Sequence, residues 1–483
     1  EGTIKRFAFD RSGYKITPRA VAFPEDEEEI ECLLESAKNS GVPIIPRAAG
    51  SNLSGNAVGD GTIVVMTGMN KLISSEKGIA RIQPGLVYDR LNELMKDDGY
   101  FLPYHVSSSA FCTVGGNVAT RASGLRSIKY GTVDNSVNNI RFVSPQWGIV
   151  DTSLGLPHEL EIRLLNIRER LLEDEEAMKE LEEKKDLKTS TGYNLHALLK
   201  YKDPAKMVAH LVVGSVGTLG IFTEVEVKLQ PIPERRVMVV SFFDSIVSAG
   251  RAVPELKGLD PSLLELMDGF GTSIVRDETD IEVPEGAGAT LMIEFDENID
   301  ESLEKLYPIL EKFALHHHLL ENDEDQKRLY KLRWKMLIEI KRKNETPERK
   351  YLSFVDDLGV PVEEIPEFIE EIYEIFEEEG IEAVIYGHIG EGNLHIRPLI
   401  EKKNWKDVMK SVGGKCFSCA FDHGGTVAAE HGSGRNRLGL IEEEWGEAVF
   451  GYFKEIKDLF DPDDIMNPGI LFSKGDITDN LEF

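Results

Sequence analysis

Two histidines bracket the stretch His388-Ile-Gly-Glu-Gly-Asn-Leu-His395, and Glu430-His431 follows farther along the chain. Tyr386–Gly390 and Asn393–Arg397 read as short strands joined by Glu391-Gly392, with glycine where a tight hairpin needs left-handed backbone. A two-residue loop sets His388 directly across from His395, with Cβ atoms about 5 Å apart on one face of the sheet. Alternation puts Tyr386, Asn393 and Arg397 on that face as well. Two imidazoles at that spacing, with the carboxylate of Glu430, suit a divalent ion that keeps open positions for a substrate. The alternative is a pair of half-buried structural histidines.

The elements that must hold these residues belong to a long, acidic chain. Its 483 residues suffice for two or three domains with a large core. A net charge of −30 argues against nucleic acid or an anionic membrane surface as a partner, and an anionic substrate needs locally placed cations. No apolar run approaches the roughly 20 residues of a membrane helix, so no membrane span is expected. The N-terminus shows no signal segment, although it begins at Glu1 rather than Met. Cys32, Cys112, Cys416 and Cys419 make no disulfide framework, which points to a reducing, cytoplasmic compartment. Cys416-x-x-Cys419 falls in an expected helix, Asp407–Asp422, and reads as core packing. His316-His317-His318 reads as a solvated helix end.

Pro24–Gly41 has the acidic first turn and glycine stop of a helix. Short strands are expected at Val42–Pro46, Thr62–Met66, Ala80–Gln83, Ile140–Val143 and Gly148–Asp151, with a helix at Tyr88–Gly99. The highly charged segment Leu156–Lys185 carries a narrow apolar stripe and reads as a solvated insertion, or else as a docking surface for another subunit. After Pro231-Ile-Pro233, strands alternate with amphipathic helices in a second α+β unit.

Three segments rich in glycine and small residues remain. Pro46–Gly55 follows a strand and can aim backbone N–H groups at a phosphate. Gly50 and Gly55 have P-loop spacing, but Asn56-Ala57 stands where Lys-Ser/Thr is required. No G-x-G-x-x-G joins a strand to a helix, so a nicotinamide site has no support. The second segment, Ser108 to Gly131, allows close backbone approach to a large flat ligand. The third is Gly214-Ser-Val-Gly-Thr-Leu-Gly220.

These three loops, in this order, resemble the FAD-binding domain of the vanillyl-alcohol oxidase/p-cresol methylhydroxylase superfamily. HIGEGNLH, AEHGSGR and NPGIL resemble the C-terminal domain of its FAD-linked D-2-hydroxyacid dehydrogenases, a group with D-lactate dehydrogenase, D-2-hydroxyglutarate dehydrogenase and the glycolate oxidase flavin subunit. The resemblance implies an α+β protein: a vanillyl-alcohol-oxidase-type FAD-binding domain of two α+β subdomains over 1–234, with the insertion at about 156–187. An α+β substrate- and metal-binding cap with an antiparallel sheet follows over 235–483, its C-terminal segment returning to the flavin.

It also implies roles. Arg47 and the run Gly50, Ser51, Asn52, Leu53 and Ser54 would wrap the FAD pyrophosphate. Pro84, Gly85, Ser108, Ser109, Thr113, Gly115, Gly116, Asn117 and Ala119 would flank its ribityl and flavin portions. Gly124, Tyr130, Gly131, Gly217 and Ile221 would complete the cleft, with Asn467 reaching it from the last turn. His388, His395 and Glu430 match metal ligands, usually for zinc, sometimes manganese or iron. His431 matches a general base, Asn393 a substrate contact, and Arg333 the arginine that grips the substrate carboxylate. The implied reaction removes a proton and a hydride from a small D-2-hydroxy acid, D-lactate first, to give the 2-oxo acid. Electrons would pass to an iron–sulfur subunit, an electron-transferring flavoprotein or a quinone, with membrane association only through such a partner.

Departures from the pattern are Val216 for the usual Glu, Arg121 for a frequent Asn, and VDDLGVP for EDVAVP. A lysine typical of 2-hydroxyglutarate enzymes has no equivalent before that last segment, which disfavours a dicarboxylate. The rival readings are a non-catalytic electron-transfer flavoprotein subunit of a larger complex, a flavin-free metal hydrolase, and a flavin-linked sugar or alcohol oxidase.

Overall fold

The computed structural model describes residues 2–483. Helix α1 (Glu27–Ser40) starts where its acidic turn predicts: Asp26 accepts the Glu29 N–H, and Gly41 ends the helix in left-handed backbone at φ 68°. Its buried residues Ile30, Leu34 and Ala37 pack on a parallel sheet of β1 (Ala20–Ala22), β2 (Ile44–Arg47) and β3 (Thr62–Val65), in the order β1-β3-β2.

A second sheet is antiparallel. It comprises β4 (Leu72–Glu76), β5 (Ile79–Ile82), β6 (Val137–Ser144), β7 (Gly148–Asp151) and β8 (Ile221–Lys228), in the order β4-β5-β8-β6-β7. Helices α2 (Tyr88–Met95) and α3 (Val114–Thr120) connect its strands and frame the second small-residue loop.

The charged segment differs from its expected solvation. It forms α4 (His158–Glu173) and α5 (Glu175–Glu183), whose Leu160, Leu164, Ile167, Leu171, Ala177 and Leu181 are buried. They share one core with Trp445, Val449 and Phe453 of the C-terminal helix. A stripe too narrow to signal a core partner is sufficient when the partner arrives from far along the chain.

The third sheet carries the histidines. In chain order its parts are β9 (Val237–Phe243), β10 (Leu263–Met267), β11 (Ala289–Phe295), β12 (His316–Leu320), β13 (Arg349–Tyr351), β14 (Leu358–Gly359), β15 (Ala383–Gly387) and β16 (Asn393–Glu401). The pairing is antiparallel in the order β12-β9-β11-β10-β15-β16-β13, with β14 also beside β16. Helix α6 (Asp323–Asn344) covers one face; α7 (Ile365–Glu379) and α8 (Trp405–Asp422) cover the other. Strands buried on both faces read as continuous apolar runs, which is why β9 is VMVVSFF. His316-His317-His318 is not a helix end: it opens the edge strand β12, paired only to β9.

Helix α9 (Leu440–Phe460) turns back onto the second sheet, and Met466 then bridges to Ile44 of β2. No helix of the described residues is long and apolar enough to cross a membrane.

Candidate functional site

The two-residue hairpin is not what forms. Strand β15 ends at Gly387, a 3₁₀ turn spans Ile389–Glu391, and Gly392 (φ 74°) turns the chain into β16. The register therefore pairs Tyr386, not His388, with His395. A side chain at Gly392 would collide with the Val360 carbonyl, its Cβ falling 1.7 Å from that oxygen, so the turn is held by the segment that follows β14. The imidazoles still meet, with ring centroids 5.5 Å apart, because His388 heads the turn and folds back over the strand end.

Glu430 is the centre of the cluster. His388 Nε2 lies 3.4 Å from Oε2, His395 Nε2 lies 3.3 Å from Oε1, and His431 Nε2 lies 3.6 Å from Oε1. Each ring turns its other nitrogen to a different carboxylate. His388 Nδ1 bonds Glu265 at 2.7 Å, His395 Nδ1 faces Asp356 at 3.2 Å, and His431 Nδ1 faces Asp357 at 3.5 Å. A carboxylate behind Nδ1 keeps the proton there and leaves the Nε2 lone pair for a metal, so the donor set fits a divalent cation. His388 and His395 are almost fully enclosed, whereas the His431 side chain is 23% exposed.

Burial opposes charge on His388 and His395, but Glu265, Asp356 and Glu430 outweigh it and hold both imidazoles above their ordinary pKa. Burial likewise opposes ionisation of Glu430, yet Lys188 and His388 keep it well below the usual carboxylate range. Lys188, itself buried, sits 3.2 Å from Glu430 and 3.0 Å from Glu391, while Ser123 Oγ donates to Glu430 at 2.8 Å.

One cavity of about 790 Å³ runs from this cluster to the glycine loops. Arg47, Gly50, Ser51, Asn52 and Leu53 line it from the first loop. Pro84, Ser108, Thr113, Gly115, Gly116, Asn117, Ala119 and Gly124 line it from the second segment, and Gly217 and Ile221 from the third. His388, His395, Glu430, His431 and Arg333 close the far end. Glycine is required here for close approach: a Cβ at Gly115 would stand 2.3 Å from Pro84, and one at Gly116 would stand 2.9 Å from Ala48. A long cleft walled by the main chain of three loops fits an extended dinucleotide.

The remaining expected residues stand behind that wall. Ser54 Oγ donates to the Gly432 carbonyl at 2.9 Å, tying the first loop to the Glu430-His431 segment. Gly85 packs on the Met66 and Met69 carbonyls, and the Ser109 carbonyl accepts the Asp89 N–H. Tyr130 donates to Asp296 at 2.6 Å, with Gly131 capping the short helix before it. Asn467 donates to the carbonyls of Asn56 and Val216, which joins the C-terminal turn to the first and third loops. Small and polar residues at loop crossings can pack loops together as well as face a ligand, and sequence spacing does not separate the two.

Two residues expected at the substrate make contacts within the protein. Asn393 is fully buried and donates to Asp357 at 3.0 Å and to the Leu358 carbonyl at 3.2 Å. It steadies Asp357, which accepts the backbone N–H groups of Glu430 and His431 at 3.0 and 2.8 Å. Arg333 lines the cavity, but its Nε donates to Glu265 at 2.6 Å, completing a chain Arg333–Glu265–His388. Burial opposes the Glu265 charge, yet Arg333 and His388 lower its pKa to about 2.

Sequence reasoning missed Glu265, Asp356, Lys188 and Lys341. A lone carboxylate inside the apolar run of β10, LLELM, was the available signal for Glu265. Lys341 lines the cavity about two helical turns along α6 from Arg333, and its side-chain nitrogen has no hydrogen-bond or ion-pair partner among the described residues. Burial and nearby Arg397 lower its pKa.

Comparison with known proteins agrees along most of the chain. Residues 18–153 match the FAD binding domain family, and residues 232–471 match the family of FAD linked oxidases, C-terminal domain. The chain is 29% identical over 474 residues to the glycolate oxidase subunit GlcD of Bacillus subtilis, covering 95% of this chain and 90% of that one. It is 28% identical over 480 residues to a D-lactate dehydrogenase of Archaeoglobus fulgidus, covering 97% and 96%. A D-2-hydroxyglutarate dehydrogenase of Escherichia coli is 27% identical over 95% of this chain and 48% of its own length. Among solved structures, an alkyldihydroxyacetonephosphate synthase superposes with a TM-score of 0.61 at 19% identity over 93% of this chain and 75% of that one, a likeness of fold.

Proposed function

The chain belongs to the FAD-linked oxidase family, and from that premise we propose an FAD- and metal-dependent dehydrogenase of D-2-hydroxy acids, with D-lactate the leading substrate. Its fold is the vanillyl-alcohol-oxidase type. In this reading residues 1–234 hold the FAD and residues 235–483 form the cap that holds metal and substrate. The observation that carries it is the shared cavity: the glycine loops and the His/Glu cluster open into the same space.

When bound, the flavin supplies a hydride acceptor and the divalent ion supplies positive charge where the substrate hydroxyl becomes an alkoxide. His388, His395 and Glu430 would hold that ion. His431, the most exposed of the three imidazoles, accepts the hydroxyl proton at Nε2 while Asp357 faces its Nδ1 and stabilises the imidazolium. Loss of that proton and of a hydride from C2 leaves the 2-oxo acid. Arg333, Lys341 and Arg397 line the cavity and are the local cations that an anionic substrate needs in a chain of net charge −30.

Purified protein is expected to be yellow, with one FAD per chain. Anaerobic D-lactate bleaches it, L-lactate does not, and chelation stops the bleaching until zinc or manganese is restored. Colourless, FAD-free protein removes this reading. The GlcD relative is named a subunit, which supports a protein electron acceptor, either an iron–sulfur subunit or an electron-transferring flavoprotein.

Lys341 favours a second reading, a substrate with another carboxylate such as 2-hydroxyglutarate. A charge-assisted hydrogen bond lost from such a substrate costs about 1.5–3 kcal/mol, roughly a tenfold to hundredfold rise in KM. Lys341→Ala should therefore raise KM for 2-hydroxyglutarate by that factor and leave D-lactate and glycolate within about threefold. Equal rises for all three would assign Lys341 to the carboxylate they share.

A further inference from the structure

Behind the third sheet, away from the cavity, a second mixed-donor cluster joins α7 to the end of α8. Cys419 and His423 lie one helical turn apart, and Glu371 reaches both from α7. Cys419 Sγ is 3.6 Å from Glu371 Oε2, and His423 Nε2 is 3.3 Å from Glu371 Oε1. The donor atoms of all three lie within 4.8 Å of one another. In a tetrahedral zinc site with bonds of about 2.0–2.3 Å, neighbouring donors stand roughly 3.3–3.8 Å apart. Little movement separates the observed spacing from that geometry.

His423 also carries an orienting partner. Its Nδ1 is 2.9 Å from the Glu364 carboxylate, which leaves Nε2 directed at the centre of the cluster. The ring packs edge-on against Phe368, so its orientation is fixed by packing as well. Thiolate, imidazole and carboxylate form a borderline-soft donor set that suits Zn²⁺ and disfavours Mg²⁺ or Ca²⁺. Cys416, three residues earlier, is fully buried among apolar side chains and supplies no ligand.

We infer that Cys419, His423 and Glu371 bind a second divalent cation of the zinc type, one that clamps α7 to α8 independently of the cavity. On binding, the thiol proton is released to solvent and Sγ joins the ion as thiolate. Glu371 is half exposed, so water completes the coordination. The clamp braces the helical layer behind β15 and β16, which carry Tyr386 and His395.

The test is Co²⁺ titration of the metal-stripped protein, because only sulfur ligation gives a near-ultraviolet thiolate-to-cobalt charge-transfer band. The His388/His395/Glu430 cluster has nitrogen and oxygen donors alone and adds no such band. The expected band saturates at about one equivalent, is displaced by Zn²⁺, disappears in Cys419→Ser and Glu371→Gln/His423→Gln, and persists in Cys416→Ala. Zinc content by atomic emission should fall by about one per chain in Cys419→Ser, whatever the cavity holds. Absence of the band in the unaltered protein, its survival in Cys419→Ser, or unchanged zinc content in that variant each overturns the second site.

Discussion

Replacing His431 with alanine lowers the rate of flavin reduction by 2-hydroxy acid by about 100-fold or more, with FAD still bound. The residue stands at the cavity wall, while the groups that hold the cluster lie behind it. Asp357 accepts the backbone N–H groups of Glu430 and His431, and those contacts survive loss of the side chain. The metal set of His388, His395 and Glu430 is likewise untouched. The loss therefore falls on proton removal, and appears in the rate constant for bleaching rather than in KM. His395→Ala separates the two roles, since it should lose the metal as well as the rate. Stopped-flow reduction with metal and FAD contents measured on the same samples distinguishes them. An unchanged bleaching rate in His431→Ala would strip that residue of its assigned role.

The cluster was legible because four of its residues sit in two short, dense motifs, His388 to His395 and Glu430-His431. What the motifs could not give was register. A two-residue loop and a five-residue turn both fit the string Gly-Glu-Gly, and the choice is made by Val360, which packs against Gly392 from just beyond β14. The glycine loops were legible as places of close approach, yet which faced the cavity was not. Gly85 and Gly115 look alike in sequence; one packs on Met66, the other opens the wall beside Pro84. Least visible were the supporting charges. Glu265, Asp356 and Lys188 reach the site from three separate parts of the chain, and apart from the lone carboxylate in LLELM nothing local marks them as its partners. Arg333 shows the same limit: its presence in the cavity was readable, its pairing with Glu265 was not. The stripe on α4 and α5 has the same character, since its partner α9 lies far along the chain.

The largest expected loss of stability lies at the joint between the second small-residue segment and the third sheet. Arg126 donates to Glu294 through Nε at 2.8 Å and through a terminal nitrogen at 3.0 Å. Ser262 donates to the same carboxylate at 2.7 Å, and the Tyr330 hydroxyl bonds it as well. Glu294 is fully buried on β11, so Glu294→Gln leaves the enclosed Arg126 without a counter-charge. Removing one partner of such a pair costs about 3–5 kcal/mol. The pH dependence gives a second handle. Burial works against the Glu294 charge, but Arg126 outweighs it and lowers the pKa from 4.5 to about 2. A carboxyl whose pKa is depressed on folding contributes fully above its unfolded value, and the contribution fades as pH falls through the folded one. That interval corresponds to about 3 kcal/mol, in line with the first figure. Urea denaturation should thus show the variant weaker than the unaltered protein by several kcal/mol near neutrality, with the gap narrowing steadily below about pH 4.5. A gap under about 1 kcal/mol at neutral pH, or one that stays constant into acid, would mean that the two halves are joined by apolar packing and not by this pair.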